Sequence, residues 1–563
     1  MSAIRFFLAV MLLATSQLVA HAQAGAWQSA LAVSTAVGNV SAITSTVADG
    51  SGNVLVGGYY DGSITLGNTT LPAASRLRGF VAKWNVAAGT YTWAFPIGSP
   101  EFSSVSALAL AGSAVYVLGY FQVTATVGSQ SVASAGDYDT YVTRLDDAGA
   151  SVSAGWVQRL GGTGLDFSSA LAVQGSAVYV AGYTTSPTVS FGSLSLGNLP
   201  TSNYSGFVAR LNDGGNAGSF AWAQALTAST KCLVKAVAVQ GSSVYVGGLY
   251  SGSLPFGTAM LTPPAATAEG AMLLKLSDQG SSATPAWAAP LGGSDTNAVL
   301  ALLASGSAVY AAGYFGGSPA AFGTATASSQ GASDAFVLKA TDLGTGLGTS
   351  WVQALGGASA DAATCLALQG SQLYMGGYFT GASATAGSLS LAGQGAQSAF
   401  VACLADAKPT ATFAWAQPAG GLYQNGTNAL ALAGTTVVAG GFVQGTAHFG
   451  SYTLSTASYG NYGFLANLAT AAGLAATAPT ATAALQPYPN PAHSRARVAV
   501  PASARTLTLV DALGRIIRTQ AVAPAAGETE VALELIGVAP GVYTLRVAAG
   551  ATATATASRL VVE

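Results

Sequence analysis

Charged side chains are scarce in this 563-residue chain, of which Asp, Glu, Lys and Arg make up only 7%. Ordinary soluble domains carry about 25% charged residues, and disordered chains combine high charge with low hydrophobicity. Half of this chain is hydrophobic, so its composition argues against disorder. The net charge of −2 also leaves no basic surface for nucleic acid. Cysteine is rare too, and we expect Cys232, Cys365 and Cys403 to be buried apolar residues rather than a disulfide framework.

Hydrophobic runs long enough to cross a membrane are also missing. The first 22 residues combine Arg5, an apolar segment from Phe6 to Ala14, and an Ala20-His21-Ala22 sequence typical of a cleavage site. The apolar segment is too short for a transmembrane helix, which needs about 20 residues. We therefore predict a secretory signal peptide over residues 1–22 and no transmembrane segment in the mature chain.

A repeat of about 64 residues runs through most of the chain. One marker is a Val-Tyr-Val-x-Gly-Tyr type of sequence, as in residues 178–183, and the other is a tryptophan that often opens a Trp-x-Gln sequence. The marker glycines are Gly58, Gly119, Gly182, Gly248, Gly313, Gly377 and Gly441. The marker tryptophans are Trp27, Trp93, Trp156, Trp222, Trp287, Trp351 and Trp415. Two independent markers thus give seven copies each, and only Trp84 lies outside the series.

Each copy consists of short β-rich runs separated by Gly, Ser, Asn and Asp, and no segment of the mature chain has a helical period. Seven such copies predict an all-β fold, a seven-bladed β-propeller over residues 23–469. A β-solenoid is the alternative, but a solenoid needs end caps that the sequence lacks. The chain starts with a lone Trp27 segment and its last copy ends at 464–468. We expect these two segments to pair and close the ring, which removes exposed sheet edges.

The repeat resembles the SBBP-type repeats of bacterial β-propellers over roughly residues 27–468. Two segments match that family's Asp-x-Phe-Val and Leu-Gly-Gly sequences, namely 334–337 and 355–357, whereas residues 271–274 lack both the Asp and the Phe. The resemblance implies a propeller fold and carries no activity.

The composition changes after the repeats. Residues 470–485 contain only Ala, Thr, Gly, Leu and Pro, which indicates a linker. Residues 486–563 hold 12 charged residues among 78, against 27 among the 463 residues 23–485. Their alternating apolar runs predict a small antiparallel β-sandwich as a second domain.

This C-terminal module closely resembles the type A C-terminal sorting domain of the type IX (Por) secretion system. The resemblance lies in Tyr-Pro-Asn-Pro at 488–491, Asp-Ala-Leu-Gly-Arg at 511–515, Pro-Gly-Val-Tyr at 540–543 and the terminal apolar strand, although Glu563 stands where the family often has a basic residue. It implies that the type IX machinery is a partner, that the chain crosses the outer membrane, and that the tail is removed. The sorting-motif residues that it implies are Tyr488, Pro489, Asn490, Pro491, Asp511, Gly514, Arg515, Gly541 and Tyr543.

Residues suited to catalysis are few. The mature chain has two histidines, His448 and His493, in different modules, and no zincin, nucleophile-elbow or phosphate-loop motif. The close carboxylate pairs of the repeats are Asp137 with Asp139 and Asp146 with Asp147. We interpret all four as turn residues rather than as a glycosidase pair or a calcium site. No cofactor, metal site or catalytic residue is therefore predicted.

Aromatic pairs follow several marker glycines, at 59–60, 120–121, 314–315 and 378–379. They suit packing between blades, and the alternative is a ring of stacking surfaces for sugars or peptides. We predict an extracellular or cell-surface protein, attached to the outer membrane or released, that binds an unknown glycan or protein without catalysis. The alternatives are a propeller enzyme such as a glycosidase or lyase, and a structural surface-layer component.

Overall fold

The computed structural model describes residues 25–33, 40–265, 268–455, 460–470, 487–500, 506–511, 515–523, 529–548 and 556–563. The predicted signal peptide and residues 471–485 of the predicted linker lie outside these ranges. The regular elements of the described chain are all β-strands, and it holds no helix of the length and apolarity that membrane crossing requires. The chain divides into two compact units between Gly473 and Leu474.

The first unit consists of seven blades, and the strands of blades 1 to 3 come first in the chain. The closing strand and blade 1 comprise β1 (Trp27–Ala32), β2 (Ser41–Ala48), β3 (Asn53–Gly62), β4 (Thr65–Leu66), β5 (Thr69–Thr70), β6 (Ala74–Asn85) and β7 (Thr90–Ile97). Blade 2 comprises β8 (Ser103–Ala111), β9 (Ala114–Phe121), β10 (Thr124–Val127), β11 (Gln130–Ala133), β12 (Asp139–Asp147) and β13 (Val152–Gly161). Blade 3 comprises β14 (Asp166–Gln174), β15 (Ala177–Thr184), β16 (Val189–Phe191), β17 (Leu194–Leu196), β18 (Ser205–Asp213) and β19 (Gly218–Leu226).

Blades 4 to 7 repeat the same order of strands. Blade 4 comprises β20 (Lys231–Gln240), β21 (Ser243–Ser251), β22 (Leu254–Phe256), β23 (Ala259–Leu261), β24 (Gly270–Asp278) and β25 (Ala283–Leu291). Blade 5 comprises β26 (Asn297–Ser305), β27 (Ala308–Phe315), β28 (Ala320–Phe322), β29 (Ala325–Ala327), β30 (Asp334–Asp342) and β31 (Leu347–Gly356). Blade 6 comprises β32 (Ala362–Gln369), β33 (Gln372–Thr380), β34 (Ser383–Ala386), β35 (Leu389–Ala392), β36 (Gln397–Asp406) and β37 (Ala411–Gly421). Blade 7 comprises β38 (Gly426–Ala433), β39 (Thr436–Gln444), β40 (Ala447–Phe449), β41 (Tyr452–Leu454) and β42 (Asn461–Ala469).

The four main strands of each blade form an antiparallel sheet, as β14-β15-β18-β19 does in blade 3. We call them the inner, second, third and outer strands. The inner strands β2, β8, β14, β20, β26, β32 and β38 contact one another in a closed cycle and surround a central channel. The predicted all-β fold with a seven-bladed propeller is therefore confirmed.

The N-terminal strand β1 supplies the outer strand of blade 7. It pairs antiparallel with β42, with Leu31 opposite Leu465 and Ala32 opposite Phe464. The last sheet thus has the order β1-β42-β39-β38, and it joins the two ends of the repeat region. Every blade of the ring therefore has four main strands.

The marker glycine of the second strand is fixed by close backbone packing. At Gly313, a Cβ atom would lie 1.9 Å from the carbonyl oxygen of Ala298 on the neighbouring inner strand. The equivalent glycines 58, 119, 182, 248, 377 and 441 meet the same obstruction at 1.9 to 2.1 Å. Only glycine fits there, which explains why this marker repeats without exception.

A short hairpin between the second and third strands links each of several blades to the preceding one. The hairpin strand β16 pairs with the outer strand β13 of blade 2, β34 pairs with β31, and β40 pairs with β37. Single bridges, Gly98 with Thr126 and Gly292 with Ala321, join blades 1 and 2 and blades 4 and 5 in the same way. The short β-rich runs expected in each copy include these segments, but the sequence did not show that they pair with a neighbouring blade.

A buried carboxylate holds most neighbouring blades together, and Asp213 is representative. It accepts hydrogen bonds from Tyr116 Oη (2.6 Å) and Trp156 Nε1 (2.8 Å), and it pairs with Arg144 Nη1 at 2.9 Å. All three partners belong to blade 2, whereas Asp213 belongs to blade 3. We call this arrangement the interblade clasp. The tryptophan, cation and aspartate recur in Trp93–Lys83–Asp147, Trp222–Arg210–Asp278, Trp287–Lys275–Asp342 and Trp351–Lys339–Asp406.

The clasp explains why the marker tryptophans repeat, because the indole N–H group of most of them donates to a clasp aspartate. It also gives Asp147 a second role besides that of a turn residue. Asp147 does make the expected turn by accepting a hydrogen bond from the Gly149 N–H at 2.9 Å, but its carboxylate also pairs with Lys83 of blade 1 at 2.7 Å. Both junctions of blade 7 lack the aspartate, because its position holds Thr470 in blade 7 and Val86 in blade 1.

The second unit is the predicted small β-sandwich. One sheet pairs β43 (Arg495–Val500) with β46 (Thr529–Glu534). The other has the order β45-β44-β47-β48, from strands β44 (Thr506–Val510), β45 (Ile516–Ala521), β47 (Gly541–Ala548) and β48 (Thr556–Val562). Both sheets contribute to one apolar core that includes Val498, Leu509, Leu533 and Leu545.

Candidate functional site

The face of the ring where the inner strands begin, here called the mouth face, carries partly exposed aromatic rings. The two members of each aromatic pair behave differently, because successive side chains of a strand point to opposite sides. The second members, Tyr60, Phe121, Phe315 and Phe379, are fully buried between the sheets. The first members, Tyr59, Tyr120, Tyr314 and Tyr378, remain partly exposed. Packing between blades therefore accounts for one half of each pair only.

Six aromatic side chains form a continuous cluster in blades 2 and 3, which we call the aromatic patch. Its members are Phe102, Tyr120, Tyr138, Phe167, Tyr183 and Tyr204, all half-buried. Ring centroids lie 5.4 Å apart for Phe102 and Tyr120, 5.2 Å for Tyr120 and Phe167, and 5.5 Å for Phe167 and Tyr183. Tyr204 follows at 5.5 Å from Tyr183, and Tyr138 lies 5.3 Å from Phe167.

The patch goes beyond what the repeat requires. Tyr138 and Tyr204 occupy the same position of the repeat, three residues before the third-strand residue that pairs with the marker glycine. At this position the other blades carry Leu77, Glu269, Ser333, Gln397 and Asn461. The position of Phe167 holds Ala42, Ser104, Leu233, Ala298, Ala362 and Gly426 elsewhere. Blade packing evidently tolerates small and polar residues at both positions. The extra rings of blades 2 and 3 therefore point to a surface used for contact.

A pocket of about 370 Å³ adjoins the patch at the junction of blades 1 and 2. Phe102 and Tyr138 form part of its wall, together with Arg76, Glu101 and Gln122. Arg76 and Glu101 are exposed and lie 3.8 Å apart, and Gln122 donates a hydrogen bond to Asp137 at 2.7 Å. The patch thus borders a polar cavity at one end.

At its other end the patch reaches the central channel. Each inner strand has a β-bulge, and the bulged residues are Thr44, Ser106, Ser169, Lys235, Leu300, Thr364 and Asn428. Six of them, all but Ser106, line the channel. Lys235 is the one charged residue of the channel lining in the described chain. Its Nζ atom lies 4.5 Å from the centroid of the Tyr183 ring. Burial, and then the positive charge of Lys231, lower the pKa of Lys235.

The carboxylate pairs singled out in the sequence are occupied by structural contacts. Asp139 is fully buried and pairs with Arg159 at 2.7 Å, while the exposed Asp137 accepts from Gln122. Asp146 pairs with Arg144 at 2.6 Å, and Asp147 belongs to a clasp. None of these pairs forms an open cleft in which two free carboxylates face a substrate, as glycoside hydrolysis requires.

Another pair of carboxylates, missed in the sequence, lies between blades 5 and 6. A Cβ atom on Gly356 would meet the Asp334 carboxyl carbon at 2.5 Å and Asp361 Oδ2 at 2.8 Å, so the two carboxyl groups are neighbours. Burial, and then the charge of Asp334, raise the pKa of Asp361 to about 6, against hydrogen bonds that lower it. Both residues are at most 1% exposed, so neither can contact a substrate.

A pocket of about 980 Å³ on the opposite face lies between blades 5 and 6. Tyr310, Lys339 and Asp406 line it, but these three side chains bind one another in a clasp. Among the described residues no group of three or more His, Cys, Asp or Glu side chains is arranged to hold a metal ion. The three cysteines are free and buried, as the sequence predicted.

The second unit places most of the sorting-motif residues in its strands and turns. Tyr488 is half exposed, and its hydroxyl group donates to Glu530; the Asn490 side chain accepts from the Val561 N–H at 2.8 Å. Both X-Pro bonds of this segment, before Pro489 and Pro491, are cis.

The remaining motif residues lie around one sheet. Asp511 accepts from Arg515 Nε at 2.7 Å and from the Arg515 N–H at 2.9 Å. Gly541 opens β47, and Tyr543 donates its hydroxyl hydrogen to the Ala539 carbonyl oxygen at 2.8 Å. Gly514 lies outside the described residues.

Comparison with known proteins identifies the second unit. Residues 486–563 match the family model Por_Secre_tail, described as "Secretion system C-terminal sorting domain". The sorting domain recognised in the sequence is thereby confirmed, and it supports delivery by type IX secretion to the cell surface or the medium. No curated protein matches the chain at a significant level.

Solved structures of low similarity match the ring. BamB from Moraxella catarrhalis is 11% identical, with 79% of this chain and 99% of that chain covered and a TM-score of 0.33. A quinohemoprotein alcohol dehydrogenase from Comamonas testosteroni is 11% identical, with 80% and 77% covered and a TM-score of 0.36. A protein of unknown function from Dyadobacter fermentans is 10% identical, with 80% and 100% covered and a TM-score of 0.36. Similarity at this level carries no argument about ligands or reactions.

Proposed function

We propose that this chain is a non-catalytic binding protein, exported by the type IX system, whose propeller binds an extracellular ligand through the aromatic patch. The observation that carries the proposal is the continuous cluster of six partly exposed rings in blades 2 and 3. Tyr120 and Tyr183 follow the repeat, but Tyr138, Phe167 and Tyr204 occupy positions where the blades outside the patch carry no aromatic residue. Aromatic side chains provide large, rigid contact area at low entropic cost. The repeats are of the SBBP type in this proposal, and residues 1–22 direct the chain across the inner membrane.

A glycan suits such a patch better than a flat protein partner does. Tyrosine and phenylalanine rings stack on the apolar faces of sugar rings, and the polar pocket beside Phe102 and Tyr138 offers hydrogen-bonding side chains. The carboxylates of the ring support a binding role over hydrolysis, because the neighbouring pairs are buried or engaged in ion pairs.

The binding test uses repeat-matched substitutions in the full chain. Phe167→Leu and Tyr138→Gln introduce residues that blades 4 and 6 carry at the same positions, so the fold should be retained. Binding to a panel of immobilised polysaccharides should fall at least tenfold, or about 1.4 kcal/mol. Tyr314→Ala, in the same repeat position as Tyr120 but on blade 5, is the control and should stay within twofold. Equal loss in the control, or cleavage of the bound polysaccharide, would refute the proposal.

The export test compares the full chain with one that ends at Leu485, in a host that has the type IX system. The full chain should reach the cell surface or the medium, and the truncated chain should stay in the periplasm. Surface delivery of both would contradict the sorting role of residues 486–563.

A further inference from the structure

The central channel holds an ammonium group that has no carboxylate partner among the described ion pairs. Lys231, on the same strand, pairs with Glu269, whereas Lys235 has no such partner. Its Nζ atom lies instead against the face of Tyr183, within the aromatic patch. A cation in such a site is partly desolvated, and its attraction to one ring offsets only part of that cost.

The other bulged positions of the inner strands show that a lysine is not needed to build the channel. Thr44 donates to the Val105 carbonyl oxygen at 2.6 Å, and Asn428 donates to the Ile43 carbonyl oxygen at 2.9 Å. Each of these short side chains links its inner strand to the next one. Lys235 has no such link among the described hydrogen bonds, so blade 4 lacks a contact that blades 1 and 7 have.

We propose that Lys235 receives the carboxylate of an acidic oligosaccharide whose sugar rings lie on the aromatic patch. This inference rests on the proposed function and adds the class of ligand. The chemistry is that of a uronic acid residue: an apolar ring face for Tyr183 and Phe167, and a carboxylate for the ammonium group. A charge-assisted hydrogen bond in a partly desolvated channel mouth is stronger than one at an open surface.

The position of the lysine also orients the ligand. Lys235 lies at the channel end of the patch, and the pocket beside Phe102 lies at the other end. The acidic sugar therefore occupies the channel end, and the following residues run across Tyr183, Phe167 and Tyr120 towards the junction of blades 1 and 2.

Three probes test this inference on the full chain by calorimetry: an oligogalacturonate, its methyl ester, and a poly-glutamate peptide. The wild-type chain should bind the acid at least tenfold more tightly than the neutral ester, and this preference should shrink as salt is raised. Poly-glutamate should not compete. Lys235→Met should remove the preference while leaving ester binding within twofold, and Lys408→Met, on an exposed lysine of the opposite face, should change nothing. Unchanged melting temperatures establish that both variants fold.

The outcomes separate the two proposals. Equal binding of acid and ester by the wild-type chain, or an unchanged preference in Lys235→Met, overturns the role of Lys235 and leaves the patch as a neutral glycan site. Equal competition by poly-glutamate overturns the glycan assignment in favour of an acidic peptide. Absence of binding to both sugars, together with unaltered polysaccharide binding in Phe167→Leu, overturns the proposed function itself.

Discussion

Replacing Asp361 by asparagine should stabilise the ring, and the gain should depend on pH. Asp361 precedes an inner strand, where its Oδ2 accepts from the Gly357 N–H at 2.7 Å and its Oδ1 accepts from the Thr380 N–H at 2.8 Å. Burial and the neighbouring Asp334 raise its pKa from 3.8 to about 6. The protonated form therefore fits the folded state better than the carboxylate does.

The sign and size of the effect follow from this difference. A carboxyl group whose pKa is raised on folding contributes stability below pH 3.8, and this contribution is lost as the pH rises through about 6. The pKa rises by about 2 units on folding, and each unit of pKa corresponds to about 1.4 kcal/mol, so the loss of folding free energy at pH 8 is about 3 kcal/mol. Asparagine has the shape of the protonated acid and does not titrate, but its Nδ2 group cannot accept a hydrogen bond. Asp361→Asn should therefore recover up to that amount at pH 8 when its Oδ1 accepts from both backbone N–H groups.

The chain itself provides the precedent for asparagine. Asn297 occupies the same position in blade 5, where its Oδ1 accepts from the Gly293 N–H at 2.8 Å and from the Gly316 N–H at 3.3 Å. Its Nδ2 group donates to three backbone carbonyl groups, those of Glu269, Gly293 and Asp295.

The assay is urea-induced unfolding of the full chain, followed by tryptophan fluorescence at pH 8 and at pH 4. Asp361→Asn should raise the free energy of unfolding at pH 8 and change it little at pH 4. The reverse substitution, Asn297→Asp, should be more destabilising at pH 8 than at pH 4. A gain of equal size at both pH values, or a loss at pH 8, would refute the reasoning from the carboxyl pair.

Three further predictions concern the core of the ring. Asp406→Ala should cost about 3–5 kcal/mol in unfolding experiments, because it leaves the buried Lys339 ammonium without a carboxylate. Gly313→Ala should cost about 3 kcal/mol by the same measurement, because the new methyl group meets the Ala298 carbonyl oxygen. Cys232, whose pKa burial raises to about 12, should not react with iodoacetamide in the native chain and should react once the chain is unfolded in urea.

Matched variants control for the first two of these effects. Asp295→Ala removes an exposed carboxylate and should stay within about 0.5 kcal/mol of the wild type. Gly306→Ala, at a left-handed turn with open space around it, should cost about 1 kcal/mol. Equal costs for Gly306 and Gly313 would contradict the steric explanation of the marker glycine. Rapid alkylation of native Cys232 would contradict its burial.

The sequence predicted the ring because its packing constraints are the same in every blade. Gly313 and its equivalents repeat because a Cβ atom has no room, and Trp156 and its equivalents repeat because most donate to an aspartate of the next blade. Such constraints produce the same residue types at a fixed spacing in the sequence. The hydrogen-bond partners of each aspartate could not be predicted in this way, because no local sequence pattern around Asp213 shows that it binds Trp156, 57 residues away.

The candidate site was harder to predict because it departs from the repeat instead of following it. The aromatic pairs drew attention to Tyr120, but Phe167 and Tyr204 lie outside them and Lys235 has no motif around it. These residues become visible only when the seven copies are aligned in structural register and positions that differ from the other blades are compared. That register includes one bulge per inner strand, which the sequence pattern does not reveal.

The pairing of β1 with β42 has a consequence for how the protein can be processed. Among the described residues, the last backbone hydrogen bond of the ring comes from Thr470, whose N–H donates to the Thr435 carbonyl oxygen at 3.0 Å. The last blade is thus complete before residue 471, and both ends of the repeat region are secured in one sheet. A protease that cuts between residues 471 and 486 would release the sorting domain without opening the ring. If the tail is removed after transport, as the resemblance of the sorting domain implies, the ring can keep its shape without it.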